Sequence, residues 1–139
     1  MDILGERWTF LILRECFYGV RRFSDMQRNL GIARNILSTR LNTLVTAGIL
    51  ERVLYREEPE RYEYRLTTAG RDLYPSIVTL MRWGDRHIHS EQGPPVVLRH
   101  KCGHEADPML VCSHCREELH PHDVTPERGP AAQFTNSST

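Results

Sequence analysis

Residues 23–66 read FSDMQRNLGIARNILSTRLNTLVTAGILERVLYREEPERYEYRL, and the order of local signals in this stretch decides the fold. Ser24 is placed to cap a short helix ending near Leu30, and Gly31 marks the turn behind it. A longer helix is predicted from about residue 33 to 47, where Ile36, Leu37, Leu41, Leu44 and Val45 recur at helical spacing and should face inward. Gly48 stops it, since a glycine leaves a helix most easily through the left-handed conformation. Two strand-like runs follow at 50–56 and 62–66, joined by Glu57-Glu58-Pro59-Glu60-Arg61. That connection is too long for a two-residue turn and suits a protruding wing. Helix, turn, helix and hairpin in this order predict a mainly α fold with a small β-hairpin wing, a winged helix-turn-helix.

The flanks extend the plan. In a first helix over about residues 2–18, Leu4, Trp8, Leu11 and Ile12 form one apolar stripe, and Ile3, Phe10, Leu13 and Phe17 form a second. One face packs on its own domain; the other calls for burial elsewhere, with a second subunit as the expected cover. Gly19 ends this helix. Thr67 or Thr68 then caps a long helix reaching about His89, with Leu73, Ile77, Leu80, Met81, Gly84 and Ile88 on one stripe. Pro75 should kink it or split off its first turns. Gly93-Pro94-Pro95 reads as a linker. The domain plan is therefore 1–92, then a small Cys/His-rich, β-ribbon-like tail over 93–125, then a polar C-terminus over 126–139 expected to be disordered.

A chain of 139 residues closes about one core. No apolar run approaches the ~20 residues that cross a bilayer, and no secretory signal is visible, so the expected location is the cytoplasm. Net charge is +0, which taken alone argues against a polyanion partner. Distribution reverses that argument: residues 14–71 hold eleven arginines against seven carboxylates, a net of +4. Only Lys101 among the 18 basic residues is a lysine. Arginine suits bidentate contact with phosphate and guanine, although a GC-rich genome produces the same bias.

In a helix-turn-helix the second helix enters the major groove of double-stranded DNA. Its outward face here carries Arg34, Asn35, Ser38, Thr39 and Asn42, short or forked polar side chains of the kind that read base edges. Arg21, Arg22 and Arg40 are placed to hold phosphates, and Arg56 and Arg61 flank the wing. Glu57, Glu58 and Glu60 at the tip would repel phosphate unless turned away. The alternative is a winged-helix scaffold that binds protein partners, with a structural zinc or redox-active tail. Enzymatic chemistry is the least expected, because the C-x-x-C of the tail lacks a thioredoxin-like strand-to-helix setting.

The residues Leu4-Gly5-Glu6-Arg7-Trp8-Thr9, Leu11-Ile12-Leu13-Arg14, Arg22-Phe23, Leu37-Ser38-x-Arg40-Leu41, Ala47-Gly48-Ile49-Leu50, Arg61-Tyr62-Glu63-Tyr64 and Trp83-Gly84 together resemble the HxlR-type regulators of bacterial transcription, relatives of MarR. The resemblance spans about residues 2–85. It implies a homodimer, built through the first and last helices of the main domain, on a roughly palindromic operator. It also implies a response to small electrophiles, metabolites or redox stress, so a small-molecule effector of unspecified kind is expected. Thiol-sensing members carry a cysteine in a stretch preceding the first matched helix. Either such a stretch lies ahead of Met1 or that route of sensing is absent.

Four cysteines remain: Cys16, Cys102, Cys112 and Cys115. Cys16 is a candidate thiol sensor, but a lone cysteine on an apolar helix more often packs as a small hydrophobe. In the tail, His100, Cys102 and His104 precede Cys112 and Cys115 in a pattern that resembles a degenerate zinc ribbon, with His100 the first choice for the fourth ligand. A segment this short cannot build its own core, so a structural zinc would staple it; a metal-free hairpin packed on the last helix, a decayed ribbon and a reversible Cys112–Cys115 dithiol are the alternatives.

Overall fold

Glu6 starts the first helix: its carboxylate accepts the backbone N–H groups of Trp8 and Thr9 at the head of α1 (Arg7–Phe17). The computed structural model describes residues 6–88 and 90–132, so Ile3, Leu4 and the first turn expected from the sequence lie outside the described residues. The helix-turn-helix follows as α2 (Phe23–Leu30) and α3 (Arg34–Thr46). Gly31 closes α2 with φ +62°, a conformation that costs a residue with a Cβ and costs glycine little. One boundary differs from expectation. Arg22 rather than Ser24 is the N-terminal flank of α2, and no side chain caps it, so Ser24 already sits inside the first turn.

The wing is an antiparallel pair, β1 (Leu50–Arg56) and β2 (Arg61–Leu66), in the register Leu50↔Leu66, Arg52↔Tyr64 and Leu54↔Tyr62. A bulge at Tyr55 gives the tip its irregular turn. The base of the wing is tied down twice: Tyr64 N–H donates to the Arg21 carbonyl at 2.7 Å, and Thr67 N–H to that of Ile49 at 3.0 Å. After β2 the chain forms α4 (Thr68–Arg71), a single turn, and then α5 (Tyr74–His87), with Pro75 in its first turn. Of the two outcomes expected at Pro75, a kink or a separate first turn, the second is found. Proline has no N–H to offer the preceding turn and is tolerated where a helix starts. Gly70 is fixed by contact rather than by φ: a Cβ there would lie 2.2 Å from the Ile49 carbonyl oxygen.

The core lies between α1, α2, α3, the wing base and α5. Ile12, Leu13, Met26, Leu37 and Leu41 are completely buried, and Leu44, Leu50, Tyr64 and Ile77 join them. Each such aliphatic side chain contributes about 1.5–3 kcal/mol by leaving water. Ile36, expected inside, stands outward on α3 while Leu37 takes the inward place. Of the stripe expected along the last helix, Ile77 and Met81 turn inward together with Val78, whereas Leu80 and Ile88 are exposed. Glu15 is the buried charge, held by Asn29 Nδ2 at 3.0 Å and by Arg14 at 3.7 Å, so it joins α1 to α2.

The tail divides at a place the sequence did not indicate. The described residues up to 108 form one compact unit and those from 109 on another. In the first unit a small hairpin over residues 98–106 pairs Arg99 with Glu105, and Gly103 turns it with φ +92°. Ion pairs hold it against α5: Arg82 reaches Glu105 at 2.7 Å and Asp107 at 3.3 Å, and Arg86 reaches Asp107 at 2.6 Å. This is why the first half of the expected 93–125 segment belongs with the helical domain. The second unit holds its own hairpin over residues 110–119, with Val111 opposite Glu118, followed by a single 3-10 turn at Pro121–Asp123. Of the C-terminus expected to be disordered, residues 133–139 lie outside the described residues.

Candidate nucleic-acid interface

The outward face of α3 presents Arg34, Asn35, Ser38, Thr39 and Asn42, all exposed. Leu37, Leu41 and Leu44 bury the opposite face, so packing alone fixes which side chains look outward. Thr39 Oγ1 donates to the Asn35 carbonyl at 2.9 Å, which holds its rotamer and leaves its lone pairs outward.

Between α2, the start of α3 and the inner face of the wing runs a groove of about 620 Å³. Arg22, Arg34, Arg52 and Arg61 line it together with Ser38 and Tyr62, against a single carboxylate, Glu60. Three of these guanidiniums lie over aromatic rings: Arg52 over Tyr62 at 3.7 Å, Arg22 over Tyr55 at 4.6 Å and Arg34 over Phe23 at 5.6 Å. Such stacking is worth about 0.5–1 kcal/mol at an exposed site, and it holds a planar, forked donor in place without consuming its N–H groups. A row of oriented cations beside the exposed end of a helix matches a sugar–phosphate strand.

The sequence-predicted residues divide accordingly. Arg22, Arg34, Ser38 and Arg61 come together in this groove, while Asn35, Thr39 and Asn42 continue the same helix face. Arg40 does not join them: its Nε lies 3.0 Å from Glu6 Oε2, too poorly aligned for a hydrogen bond, so the contact is an ion pair that ties α3 to the head of α1. Arg21 turns away from the groove to line another cleft with Cys16 and Arg71. Arg56 Nε donates to the Glu58 carbonyl at 3.1 Å and stiffens the wing tip. Tyr62 Oη donates to Glu60 at 3.1 Å, which fixes that acidic side chain. Arg52 is the residue that sequence reasoning missed. The signal was period two: Arg52 shares a strand face with buried Leu50, so it had to point toward the helices.

The thiols fall into two settings. Cys16 is buried in the helical core, and burial, with a lesser contribution from Glu15, pushes its thiol up to about 12. A thiol so raised carries almost no thiolate near neutral pH. Cys112 is held below the usual thiol range by the backbone N–H groups of Cys115 and His114 and by the Cys115 side chain. Arg116 closes that loop with φ +69°. In the other hairpin, Cys102 Sγ lies 3.8 Å from His104 Nδ1, and the Cys102 N–H faces His100 Nδ1 at 3.4 Å. Among the described residues, no three His, Cys, Asp or Glu side chains are gathered to hold a metal.

Known proteins place this geometry. The family model described as HxlR-like helix-turn-helix matches residues 3–92. An HTH-type transcriptional regulator of Mycobacterium tuberculosis is 57% identical over 131 residues, covering 94% of this chain and 83% of that one. An alignment of that span takes in the Cys/His-rich tail. Among solved structures, the candidate transcription factor PA1607 superposes with a TM-score of 0.81 at 33% identity, over 92% of this chain and 90% of that one. A second candidate transcription factor, from Pseudomonas aeruginosa, gives 0.68 at 36% identity, over 96% and 91%. No helix among the described residues is long and apolar enough to cross a membrane. The chain belongs to the HxlR-like helix-turn-helix family, as a DNA-binding transcriptional regulator.

Proposed function

We propose that the protein acts as a cytoplasmic homodimer that binds a palindromic operator, reading bases with α3 and holding phosphates with the arginine groove. The observation that carries this reading is the set Arg22, Arg34, Arg52 and Arg61 beside the exposed face of α3. Arg34, Asn35, Ser38, Thr39 and Asn42 are the base-reading candidates; Arg22, Arg52 and Arg61 are the phosphate and wing contacts. The test is a titration of DNA from the gene's own promoter region across a range of salt. Arg34→Ala should cost about 1–3 kcal/mol and relax sequence preference. Arg52→Ala should weaken all duplexes alike and lower the salt slope by about 1. Undiminished binding by both folded variants overturns the assignment to this face.

The dimer is supported by the outer face of α5. Leu80, Trp83 and Ile88 are 53%, 54% and 70% exposed and lie with Phe10 and Tyr18 of the α1 region along one apolar cleft. Soluble monomers seldom leave so many large apolar side chains together in water. A two-fold axis through α1 and α5 would bury both copies of this patch and place two α3 helices on successive major grooves. Trp83→Glu should shift the sedimentation coefficient to that of a monomer; a wild-type protein already monomeric at micromolar concentration overturns the arrangement.

We further propose that Cys112 and Cys115 form a structural zinc half-site. The support is local: two thiols three residues apart, one of them already accepting backbone N–H groups as a metal-bound thiolate does. Metal analysis of freshly purified reduced protein should find zinc that Cys112→Ser loses. Absence of zinc from the wild-type protein overturns the half-site.

A further inference from the structure

A second cleft, of about 690 Å³, opens beside the wing, lined by Cys16 and Phe17 from α1, Arg21 from the following loop, Tyr64 from β2, Arg71 from α4 and Tyr74 from α5. Its chemistry is two-sided. The Phe17 and Tyr74 rings stand 5.1 Å apart and tilted by 53°, and with Tyr64 and the Cys16 thiol they make an apolar floor. Around it guanidiniums outnumber carboxylates: Arg21, Arg65 and Arg71 against Glu51. Arg65 is occupied by Glu63. Arg71 donates to the Leu66 carbonyl at 2.8 Å and to Thr68 Oγ1 at 3.2 Å, which fixes its guanidinium and leaves its other N–H groups unused. Arg21 has no side-chain partner among the described residues.

We propose that this cleft binds a small organic anion with a planar apolar body, in chemical class an aromatic carboxylate. Its carboxylate would take the forked donors of Arg71 and Arg21, and its ring would lie against Phe17, Tyr64 and Tyr74. A cation is repelled by the Arg21 and Arg71 guanidiniums. A neutral ring forgoes the charge-assisted hydrogen bonds that make a guanidinium site selective. The floor is already formed and one guanidinium is already held in place, so little ordering is needed on binding.

The cleft has a route to the DNA face. Tyr64 lines both clefts, and its N–H holds the Arg21 carbonyl at 2.7 Å. An anion that draws Arg21 and Tyr64 together therefore acts on the residues that set the wing against α2. It alters DNA affinity to the extent that it favours one wing position over another. This coupling rests on the regulator reading above; the binding itself does not.

The test uses the full chain labelled with 15N and no DNA. Benzoate, salicylate and 2-naphthoate are titrated beside their neutral carboxamides. The carboxylates should shift the amides of residues 16–21, 64–66 and 71–74 saturably, the carboxamides should not, and Arg71→Gln should weaken binding roughly tenfold. Tyr74→Ala, at an exposed ring, should weaken it independently should Arg71→Gln fail to fold. Equal shifts from carboxamides, shifts confined to the α3 face, or no saturable shift from any carboxylate overturn the site. Addition of the tightest carboxylate to the DNA complex then reads the coupling. Unaltered DNA affinity with anion binding intact removes the coupling and leaves the site. Absence of any DNA binding removes the regulator reading and leaves the site likewise.

Discussion

The helical domain and the two hairpins that follow it in the chain are held by different forces. From Thr9 to Val78 the chain buries a continuous set of apolar side chains, with Ile12, Leu13, Met26, Leu37, Leu41 and Leu44 at 0% exposure. From residue 90 to residue 132 no described residue is buried. The hairpins at 98–106 and 110–119 nonetheless have cross-hairpin backbone hydrogen bonds and tight turns, with Gly103 and Arg116 in the left-handed region. The contrast teaches that local hydrogen bonding shapes the tail, whereas the hydrophobic effect supplies stability only to the helical part. Short hairpins with no buried face are marginal by themselves. The tail therefore has to draw on ion pairs, a metal or a partner.

The largest effect that sharpens this comparison is a matched pair of leucine truncations. Leu41→Ala removes a completely buried side chain from α3 and should cost about 2–5 kcal/mol, read as a lower urea midpoint with an unaltered slope. Leu119→Ala in the tail removes a side chain already 37% exposed and should leave the main unfolding transition within about 0.5 kcal/mol. Comparable losses from the two would break the distinction between the regions.

The next effect concerns the thiols and pH. Cys16 is raised to about 12 in the folded protein, while the same thiol in the unfolded chain titrates in the ordinary range near 9. The folded state thus holds that proton more tightly. Its contribution is fully present below the unfolded value and is lost as pH rises through the window from about 9 to about 12. Cys16→Ala should flatten the fall in stability over this window, measured by urea unfolding at several alkaline pH values. An unchanged slope in the variant would mean that the thiol is better solvated than its burial implies. At neutral pH in chelator-treated protein, Cys102 and Cys115, which are exposed, should alkylate readily and Cys16 only on unfolding.

The same contrast explains what the sequence made legible. Helical periodicity placed α1 and α3 because burial wrote it into residues such as Ile12, Leu37, Leu41 and Leu44, while the Gly31 turn and the strand-like runs placed α2 and the wing. It misplaced Ile36, and it could not say that Leu80 and Ile88 of the α5 stripe would stay exposed, since an apolar residue carries no mark that distinguishes a face packed on its own domain from one left for another molecule. Of the site, the face of α3 followed from its inward leucines. The roles of individual arginines did not, because pairing depends on what the fold brings near: Glu6 to Arg40, Phe23 to Arg34, Tyr62 to Arg52. Periodicity also gave no warning that the tail divides at residue 108, since the cause is two arginines on α5.

Those arginines supply the smallest effect. Arg82 has a side chain 20% exposed and meets Glu105 at 2.7 Å, Asp107 at 3.3 Å and Asp85 at 3.8 Å. Surface ion pairs contribute about 0.2–1 kcal/mol each, and salt weakens them. Arg82→Gln should therefore leave the unfolding midpoint of the helical domain nearly unchanged and loosen the 98–106 hairpin alone. Amide exchange is the measurement: the protons of His100 and Ala106, which donate across the hairpin at 2.9 and 2.7 Å, should exchange several-fold faster in the variant and, in the wild type, faster at high salt. Core amides such as that of Leu41 should keep their rates. Hairpin protection that survives both the substitution and salt would show that apolar contact rather than charge holds this hairpin to α5, and the tail would then be an extension of the core instead of its counterpart.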